Sequence, residues 1–234
     1  MRTTISKLLC LQLLPVLLAV TFGLSAVAAE LDGKNFRYGV NYRGSDAGEL
    51  EVVIQKVDNE YVVSSISHLS ILAQMFLKST TIESRFEQQS GTLRLVSGKE
   101  TLNETGKIKR SFDIDYATGK INFSDTESVP FAEDIIIEAD SFPLGLILSD
   151  PESRKGKNYL SVNPKRARNF VYQDIVKDTV SVPAGTFDAI RIFSTRPDEP
   201  ERKITIWLSD DETRVPVKII TGKNGKETVM ELLK

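Results

Sequence analysis

Cysteine and histidine are almost absent from the sequence. Its 234 residues include one cysteine, Cys10, and one histidine, His68. A zinc site takes several ligands of these two types, so carboxylates would have to supply nearly all the ligands here. A single cysteine leaves no pair for a disulfide, so packing must stabilise the chain. We therefore expect no metal site and no cofactor.

Long apolar runs are equally scarce. The sequence has one, from Leu8 to Leu24, so we expect no later segment to span a membrane. Arg2 and Lys7 precede this run and Ala26-Val-Ala-Ala29 follows it, which is the pattern of a cleavable secretory signal peptide. A retained membrane anchor is the alternative. We predict a signal peptide over residues 1–29, a periplasmic location and a single β-rich domain over residues 30–234.

The net charge of the chain argues against nucleic acid as its partner. The whole chain carries a formal net charge of −2, and loss of Arg2 and Lys7 with the signal peptide would make it −4. A mildly acidic chain is not typical of a general nucleic-acid binder. We expect a lipid or other amphiphile, or an envelope protein, as the partner and no nucleic acid.

Most of the remaining chain alternates apolar and polar residues with the period of two that is typical of half-buried strands. The segments 50–66, 80–96 and 108–123 each contain two such runs separated by turn residues. Asn224-Gly225 separates two further runs, and this dipeptide accepts the positive φ angles that a tight hairpin turn requires. These patterns predict consecutive antiparallel hairpins.

Helical patterns are few. Residues 68–78 place apolar side chains at helical spacing, and Ser67 is a candidate N-cap for them. Asp140 or Ser141 could begin a second, shorter helix with Pro143 in its first turn. The sequence therefore predicts a mainly β fold, a large curved antiparallel sheet or half-open barrel of roughly eight to eleven strands with one or two short helices.

The last quarter of the chain carries the most distinctive pattern. Val182-Pro-Ala-Gly-Thr-Phe-Asp-Ala-Ile190 is followed by strand patterns at Ile206-Trp-Leu-Ser-Asp210 and Val215-Pro-Val-Lys218. Together with Phe36-Arg-Tyr-Gly-Val40 and Asp140-Ser141, this resembles the bacterial exported family catalogued as domain of unknown function 3108. The resemblance implies an exported, β-rich protein of the bacterial envelope, and it implies no activity.

Two candidate sites have simpler structural interpretations. His68 lies among hydroxyl-bearing residues and could serve as the base of a catalytic triad, but a partly exposed histidine at a helix start without a catalytic role is the simpler interpretation. Asp113 and Asp115 followed by Gly119 resemble part of a calcium loop. A hairpin turn explains that spacing better.

The densest acidic cluster is Asp210-Asp211-Glu212. Paired carboxylates could hydrolyse glycans if two of them faced one cleft. Adjacent residues at a strand end point to opposite faces, however, so a polar turn is the simpler interpretation.

Two features are candidate ligand-binding elements. Trp207 lies in an alternating strand and faces opposite to Ile206 and Leu208, so it either packs a core or lines a sugar or lipid site. The segment 154–168 holds six basic residues and no acidic residue, and such a patch could contact anionic head groups or an acidic partner. The basic residues are Arg154, Lys155, Lys157, Lys165, Arg166 and Arg168.

Two functions remain open. The first is a non-catalytic periplasmic envelope protein that binds an apolar or amphiphilic envelope component, or a protein partner, in the concavity of the sheet. The second is a carboxylate-based hydrolase of envelope glycans, which would need two acids on one inner wall. We predict no catalytic residue.

Overall fold

The structure is a computed structural model, and it describes residues 31–89 and 92–234. The predicted signal peptide lies outside these residues. The described chain forms one sheet of fifteen strands with two short helices, α1 (Ile71–Gln74) and α2 (Leu144–Ile147), and a 3-10 turn (Glu152–Arg154). The strands are β1 (Asn35–Tyr42), β2 (Ser45–Val57), β3 (Glu60–Leu69), β4 (Thr80–Gln89), β5 (Thr92–Leu102), β6 (Ile108–Asp115), β7 (Lys120–Phe123), β8 (Val129–Pro130), β9 (Ile136–Ala139), β10 (Asn158–Asn163), β11 (Arg166–Val182), β12 (Gly185–Arg196), β13 (Glu199–Ser209), β14 (Pro216–Lys223) and β15 (Lys226–Leu232).

The sheet consists of two meanders joined at the ends of the described chain. Its strand order is β8-β7-β6-β5-β4-β3-β2-β1-β15-β14-β13-β12-β11-β10-β9. The β1–β15 pair joins the halves, and every neighbouring pair is antiparallel except β9–β10. The edge strands β8 and β9 follow one another in sequence but lie at opposite edges of a sheet that does not close. The predicted mainly β, half-open architecture is confirmed.

The predicted number of strands was too low. Fifteen strands are present in the described part of the chain, against an expectation of roughly eight to eleven from turn signals. Part of the shortfall has a physical reason, because β8 and β9 have only two and four residues. Strands of that length are too short to show an alternating pattern.

The hydrophobic core lies on the concave face. Alternate residues of the central strands are buried there, including Val52 and Ile54 on β2 and Tyr61 and Val63 on β3. The segment after β9 fills the concavity, because Leu144, Leu146 and Ile147 of α2 and Phe142 before it are buried. The Phe142 ring stacks 6.2 Å from the Phe36 ring of β1, and the Ser141 hydroxyl lies 3.1 Å from the Ser84 hydroxyl of β4. The sheet therefore curves around this segment.

Tight turns connect most of the strands. Asn224 and Gly225 have φ angles of 52° and 73°, which confirms the predicted hairpin between β14 and β15. The predicted hairpins over 50–66, 80–96 and 108–123 are the pairs β2–β3, β4–β5 and β6–β7. Gly48 has a φ of 116°, and a Cβ there would lie 2.1 Å from the His68 carbonyl oxygen, so β2 and β3 approach closely at this point.

Both helix predictions require correction. The helix expected over 68–78 is a single turn, α1, and His68 and Leu69 belong to strand β3. Ser70, rather than Ser67, caps it, with its hydroxyl accepting from the Ala73 amide at 3.4 Å. β-sheet pairing with β2 extends through Leu69 and overrides the helical spacing.

The second helix begins later than expected. Pro143 occupies the N-cap position of α2, and no side chain caps the helix. Asp140 instead accepts hydrogen bonds from Ser161 and Asn163 of β10, and the Ser141 hydroxyl lies near the Ser84 hydroxyl of β4. Within the described residues, no helix has the length and apolarity required to cross a membrane.

Candidate ligand-binding pocket

One end of the sheet collects the turns that surround the pocket, and we call this end the rim. Strand register places the β1–β2, β10–β11, β12–β13 and β14–β15 turns there, because Tyr42 pairs with both Ser45 and Thr228 and Lys223 pairs with Lys226. The loop from β3 to β4 starts at the same end, since Leu69 pairs with Gly48 near the start of β2. The β2–β3 and β11–β12 turns lie at the opposite end.

A pocket of about 400 Å³ opens at the rim. Five of its thirteen lining residues are lysine or arginine and one, Asp140, is acidic, so the lining is strongly basic. On β13, Arg202 and Ile204 share the parity of the buried Ile206 and Leu208, so these two residues continue the inner face beyond the core. The pocket is lined by Tyr42, Asp140, Arg168, Phe170, Arg202, Lys203, Ile204, Thr221, Gly222, Lys223, Asn224, Lys226 and Thr228.

The positive charge of the pocket is only partly neutralised. Arg202 pairs with Glu199 at 2.8 Å, and Lys223 pairs with Glu199 and, at 3.4 Å, with Glu201. Arg168 and Lys226, by contrast, form no ion pair with a carboxylate within residues 31–89 and 92–234. Partial burial and the positive charges of the neighbouring arginines lower the pKa of Arg168. A counter-ion in the pocket would relieve this repulsion.

A smaller cavity of about 50 Å³ lies beneath the pocket and shares Asp140, Ile204 and Thr221 with it. Most of its other lining is apolar or aromatic. The carboxylate of Asp140 accepts hydrogen bonds from the Ser161 hydroxyl at 3.0 Å and from the Asn163 amide at 2.7 Å. The further lining residues are Glu138, Ala139, Ser141, Pro143, Leu146, Tyr159, Ser161, Tyr172, Ile206, Ile219 and Met230.

Glu138 is a buried carboxyl at the wall of this smaller cavity. The Arg154 guanidinium lies 3.4 Å from its Oε1 atom, and its Oε2 atom has no hydrogen-bond partner in the described residues. Burial raises the pKa of Glu138 to about 7, although Arg154, the Leu146 amide and the Tyr172 hydroxyl oppose the rise. Gly145 leaves room for this carboxyl, because a Cβ there would lie 2.8 Å from Oε2.

The six basic residues of 154–168 do not form one patch. Lys165, Arg166 and Arg168 lie at the rim, where the turn between β10 and β11 places them, and Arg168 lines the pocket. The other three lie toward the opposite end, before or at the start of β10. Of these, Arg154 is partly buried beside Glu138, Lys155 pairs with Asp174 at 3.4 Å, and Lys157 is exposed.

Trp207 lies on the outer face of the sheet. It is half-buried and points away from the side occupied by the buried Ile206 and Leu208. Its indole Nε1 donates to Asp178 at 2.9 Å, and the Lys218 amine lies 6.0 Å from the ring centroid. It lines neither the pocket nor the smaller cavity.

The other candidate residues have structural contacts. His68 is exposed on β3, with Nε2 3.2 Å from the Glu51 carboxylate. Asp211 accepts from the Ser209 hydroxyl and from the Thr213 amide and hydroxyl, as expected of a turn. Asp210 pairs with Lys177 at 2.9 Å.

The residues that resemble part of a calcium loop, Asp113, Asp115 and Gly119, belong to the β6–β7 hairpin. The Asp115 carboxylate accepts from the Ala117 and Thr118 amides in the β6–β7 turn, and Asp113 accepts from Asn122. Among the described residues, no group of three metal-ligating side chains is present.

Fold and pocket together define an open, barrel-like antiparallel β protein with a basic cavity at one end. The chain belongs to the family described as Protein of unknown function (DUF3108), whose model matches residues 37–232. No curated protein matches the chain.

Two solved structures are similar. One is a β-barrel-like protein of domain of unknown function DUF1849 from Brucella abortus, with a TM-score of 0.49 and 10% identity, covering 86% of this chain and 95% of that chain. The other is a hypothetical protein from Chlamydia trachomatis, with a TM-score of 0.36 and 12% identity, covering 88% of this chain and 89% of that chain.

Proposed function

We propose that this protein is a non-catalytic binding protein of the periplasm that holds an anionic amphiphile of the envelope in the rim pocket. The observation that carries the proposal is the lining of the pocket, five basic residues against one carboxylate in about 400 Å³. Ligand sites commonly have volumes of roughly 300–1,000 Å³. Arginine and lysine without a paired carboxylate are the usual partners of phosphate and carboxylate groups.

The apolar cavity beneath the pocket favours an amphiphile, rather than a simple anion, as the ligand. Ile204, Ile206 and Ile219 contribute to its wall, so the polarity falls from the rim inward. Its volume of about 50 Å³ accommodates only a few carbon atoms. The ligand therefore places its anionic group among Arg168, Lys223 and Lys226 and the first part of an apolar chain below, with the rest of the chain outside.

The binding half of the proposal is tested by charge reversal at the pocket. Arg168→Glu with Lys226→Glu removes two of the three pocket cations that form no ion pair in the described residues, the third being Lys203. Isothermal titration with a short alkyl phosphate should give at least about tenfold weaker binding than in the unchanged protein. A neutral alkyl glycoside of the same chain length should bind weakly to both forms.

The matched control reverses two cations at the other end of the sheet. Lys155→Glu with Lys157→Glu changes the net charge equally but leaves the pocket intact. Equal weakening in both double variants would show that net charge, and not this pocket, governs binding. If all three forms bind the alkyl phosphate with equal strength, the rim pocket is not its binding site.

The location is tested separately. The proposal of export depends on the basic residues, apolar run and Ala-Val-Ala-Ala motif at the start of the chain. In amino-terminal sequencing, protein recovered from the periplasm of an expressing bacterium should begin at residue 29 or 30. A chain that still begins at Met1 would remove the periplasmic part of the proposal.

A glycan hydrolase remains the second candidate because Glu138 and Asp140 line the same cavity. A carboxyl with a pKa of about 7 has the properties of a general acid. Two observations favour binding instead: Arg154 occupies one Glu138 oxygen, and a cavity of about 50 Å³ is too small for a sugar ring. If the protein hydrolyses envelope glycans, Glu138→Gln should abolish that hydrolysis.

A further inference from the structure

The loop between β3 and β4 exposes five large apolar side chains. These side chains lie within seven consecutive positions, and each residue is between 59% and 84% exposed. Monomeric proteins seldom expose apolar residues in such a cluster without a partner for them. The residues are Ile71, Leu72, Met75, Phe76 and Leu77.

The base of this loop is firmly held. The Ser70 amide donates to the Ala47 carbonyl and its hydroxyl to the Asp46 carbonyl, both at 3.1 Å. The Gln74 side-chain amide donates to the Leu69 carbonyl at 2.9 Å. Across the loop, the Thr80 amide donates to the Ser67 hydroxyl at 2.8 Å. The apolar tip is therefore presented on an ordered base.

Cations of the rim, rather than of the loop itself, favour a negatively charged partner. Residues 61–82 contain no Asp or Glu, and Lys78 follows the apolar positions. The Lys78 amine lies 3.8 Å from Glu104 and is 67% exposed, so this ion pair is weak and solvent-screened. The basic pocket opens at the same end of the sheet.

We propose that this loop, residues 71–77, inserts into the interface of an anionic phospholipid bilayer and docks the protein with its rim toward the membrane. A bilayer needs no complementary groove, and flexible Met, Leu and Phe side chains projecting from an ordered base suit an apolar boundary. The cations at the rim add electrostatic attraction to anionic lipid. Burial of the apolar side chains of the loop in the bilayer adds binding free energy to the electrostatic attraction.

Docking would also place the pocket where an amphiphile leaves the bilayer. The loop and the pocket mouth share the rim, so an anionic head group held by Arg168 and Lys226 would face the lipid surface. Docking itself rests on the loop and not on the proposed ligand, so the two proposals can fail separately.

The direct test uses a fluorescent label at the loop. Cys10 is the only cysteine, so a Cys10→Ser background with Met75→Cys gives one labelling position. An environment-sensitive fluorophore there should shift to shorter wavelength with vesicles of phosphatidylcholine containing one-quarter phosphatidylglycerol. The same label at Val57→Cys should not shift, because Val57 ends strand β2 at the opposite end of the sheet and is 52% exposed.

A second test substitutes apolar residues of the loop and keeps the fluorescent label at position 75. Phe76→Ser with Leu77→Ser should reduce partition to these vesicles by at least about tenfold, because burial of each large apolar side chain contributes about that factor. Val57→Ser should leave partition unchanged. Circular dichroism and the thermal midpoint should agree between the variants, because both side chains are exposed in the folded protein. Alkyl phosphate binding should be unaffected by the loop variant.

Three results would overturn the proposal. A label at position 75 that does not respond to vesicles places the loop outside the bilayer, even if the protein sediments with lipid through another segment. Equal partition of the loop variant and the unchanged protein shows that these side chains do not contribute. Self-association that the loop variant abolishes, measured by sedimentation velocity without lipid, assigns the loop to a second copy of the chain.

Discussion

The guanidinium of Arg154 lies 3.4 Å from the carboxyl of Glu138 inside the sheet. Both side chains are largely buried, at 15% and 6% exposure, so water screens the pair little. Arg154 also donates to the Ser149 hydroxyl at 3.2 Å and to the Gly145 carbonyl at 3.4 Å. The pair links the 3-10 turn, α2 and β9, and it controls how the interior responds to pH.

The first prediction concerns stability against pH. Burial raises the folded-state pKa of Glu138 from 4.5 to about 7. Between these values the unfolded chain releases the proton while the folded chain keeps it, so stability should fall as pH rises. The total loss should be roughly 3 kcal/mol, complete above the folded pKa. Urea unfolding of the unchanged protein and Glu138→Gln across this window tests it. The difference between the two curves isolates Glu138 from other groups, and a flat difference would contradict the prediction.

The second prediction concerns Arg154. Arg154→Met leaves Glu138 buried without its cation, so the variant should lose about 3 kcal/mol or more at pH 8 and less at pH 5, where Glu138 is protonated. Lys155→Met is the matched control, because Lys155 also lies 3.4 Å from a carboxylate but is 53% exposed. Its cost should stay within about 1 kcal/mol. Similar losses in the two variants at pH 8 would show that the buried pair is no stronger than the surface pair.

The third prediction concerns the close approach at Gly48. A Cβ at this position would lie 2.1 Å from the His68 carbonyl oxygen, and the φ of 116° is unfavourable for alanine. Gly48→Ala should therefore destabilise the protein by roughly 3 kcal/mol or more. Gly156 also has a positive φ, of 75°, but nothing lies within 4 Å of a Cβ there. Gly156→Ala should cost only about 1–2 kcal/mol, and equal thermal shifts would show that the backbone at Gly48 relaxes freely.

The hairpins could be predicted from the sequence because each hairpin pairs strands that are neighbours in the chain. Two-residue turns such as Asn224-Gly225 and strands with period-two alternation specify pairing between neighbours. The error at residues 68–78 shows the limit of this approach. Leu69, Leu72 and Phe76 have helical spacing, but the spacing does not reveal that pairing with β2 continues past His68. Leu72 and Phe76 are exposed rather than packed on a helix face.

The pocket could not be predicted from the sequence because its residues come from separate strands. Arg168, Arg202 and Lys226 lie on β11, β13 and β15, and only the register of the sheet brings them to one rim. Arg168 was a candidate because its own segment is basic. Glu138 was missed, although a single acid inside the apolar run Ile135-Ile-Ile-Glu-Ala139 is a signal for a buried charge.

The fourth prediction uses the only tryptophan. Trp207 is on the outer face, hydrogen-bonded to Asp178, and lines neither cavity. Its fluorescence should therefore not change when an alkyl phosphate fills the pocket. Tyr42 lines the pocket and is 47% exposed, so Tyr42→Trp should introduce an emission change that saturates with ligand.

Two controls make this measurement decisive for the position of the ligand. Addition of Arg168→Glu and Lys226→Glu to the Tyr42→Trp variant should abolish the saturable change, because two of the three unpaired cations in the described pocket become acidic. The unchanged protein, which retains Trp207 alone, should show no response over the same titration. A saturable response from Trp207 and none from a tryptophan at position 42 would place the ligand on the outer face, beside Asp178 and Lys218. That outcome would support the sequence-based prediction of a Trp207 site and contradict the rim pocket, because one ligand cannot contact both faces of the sheet at once.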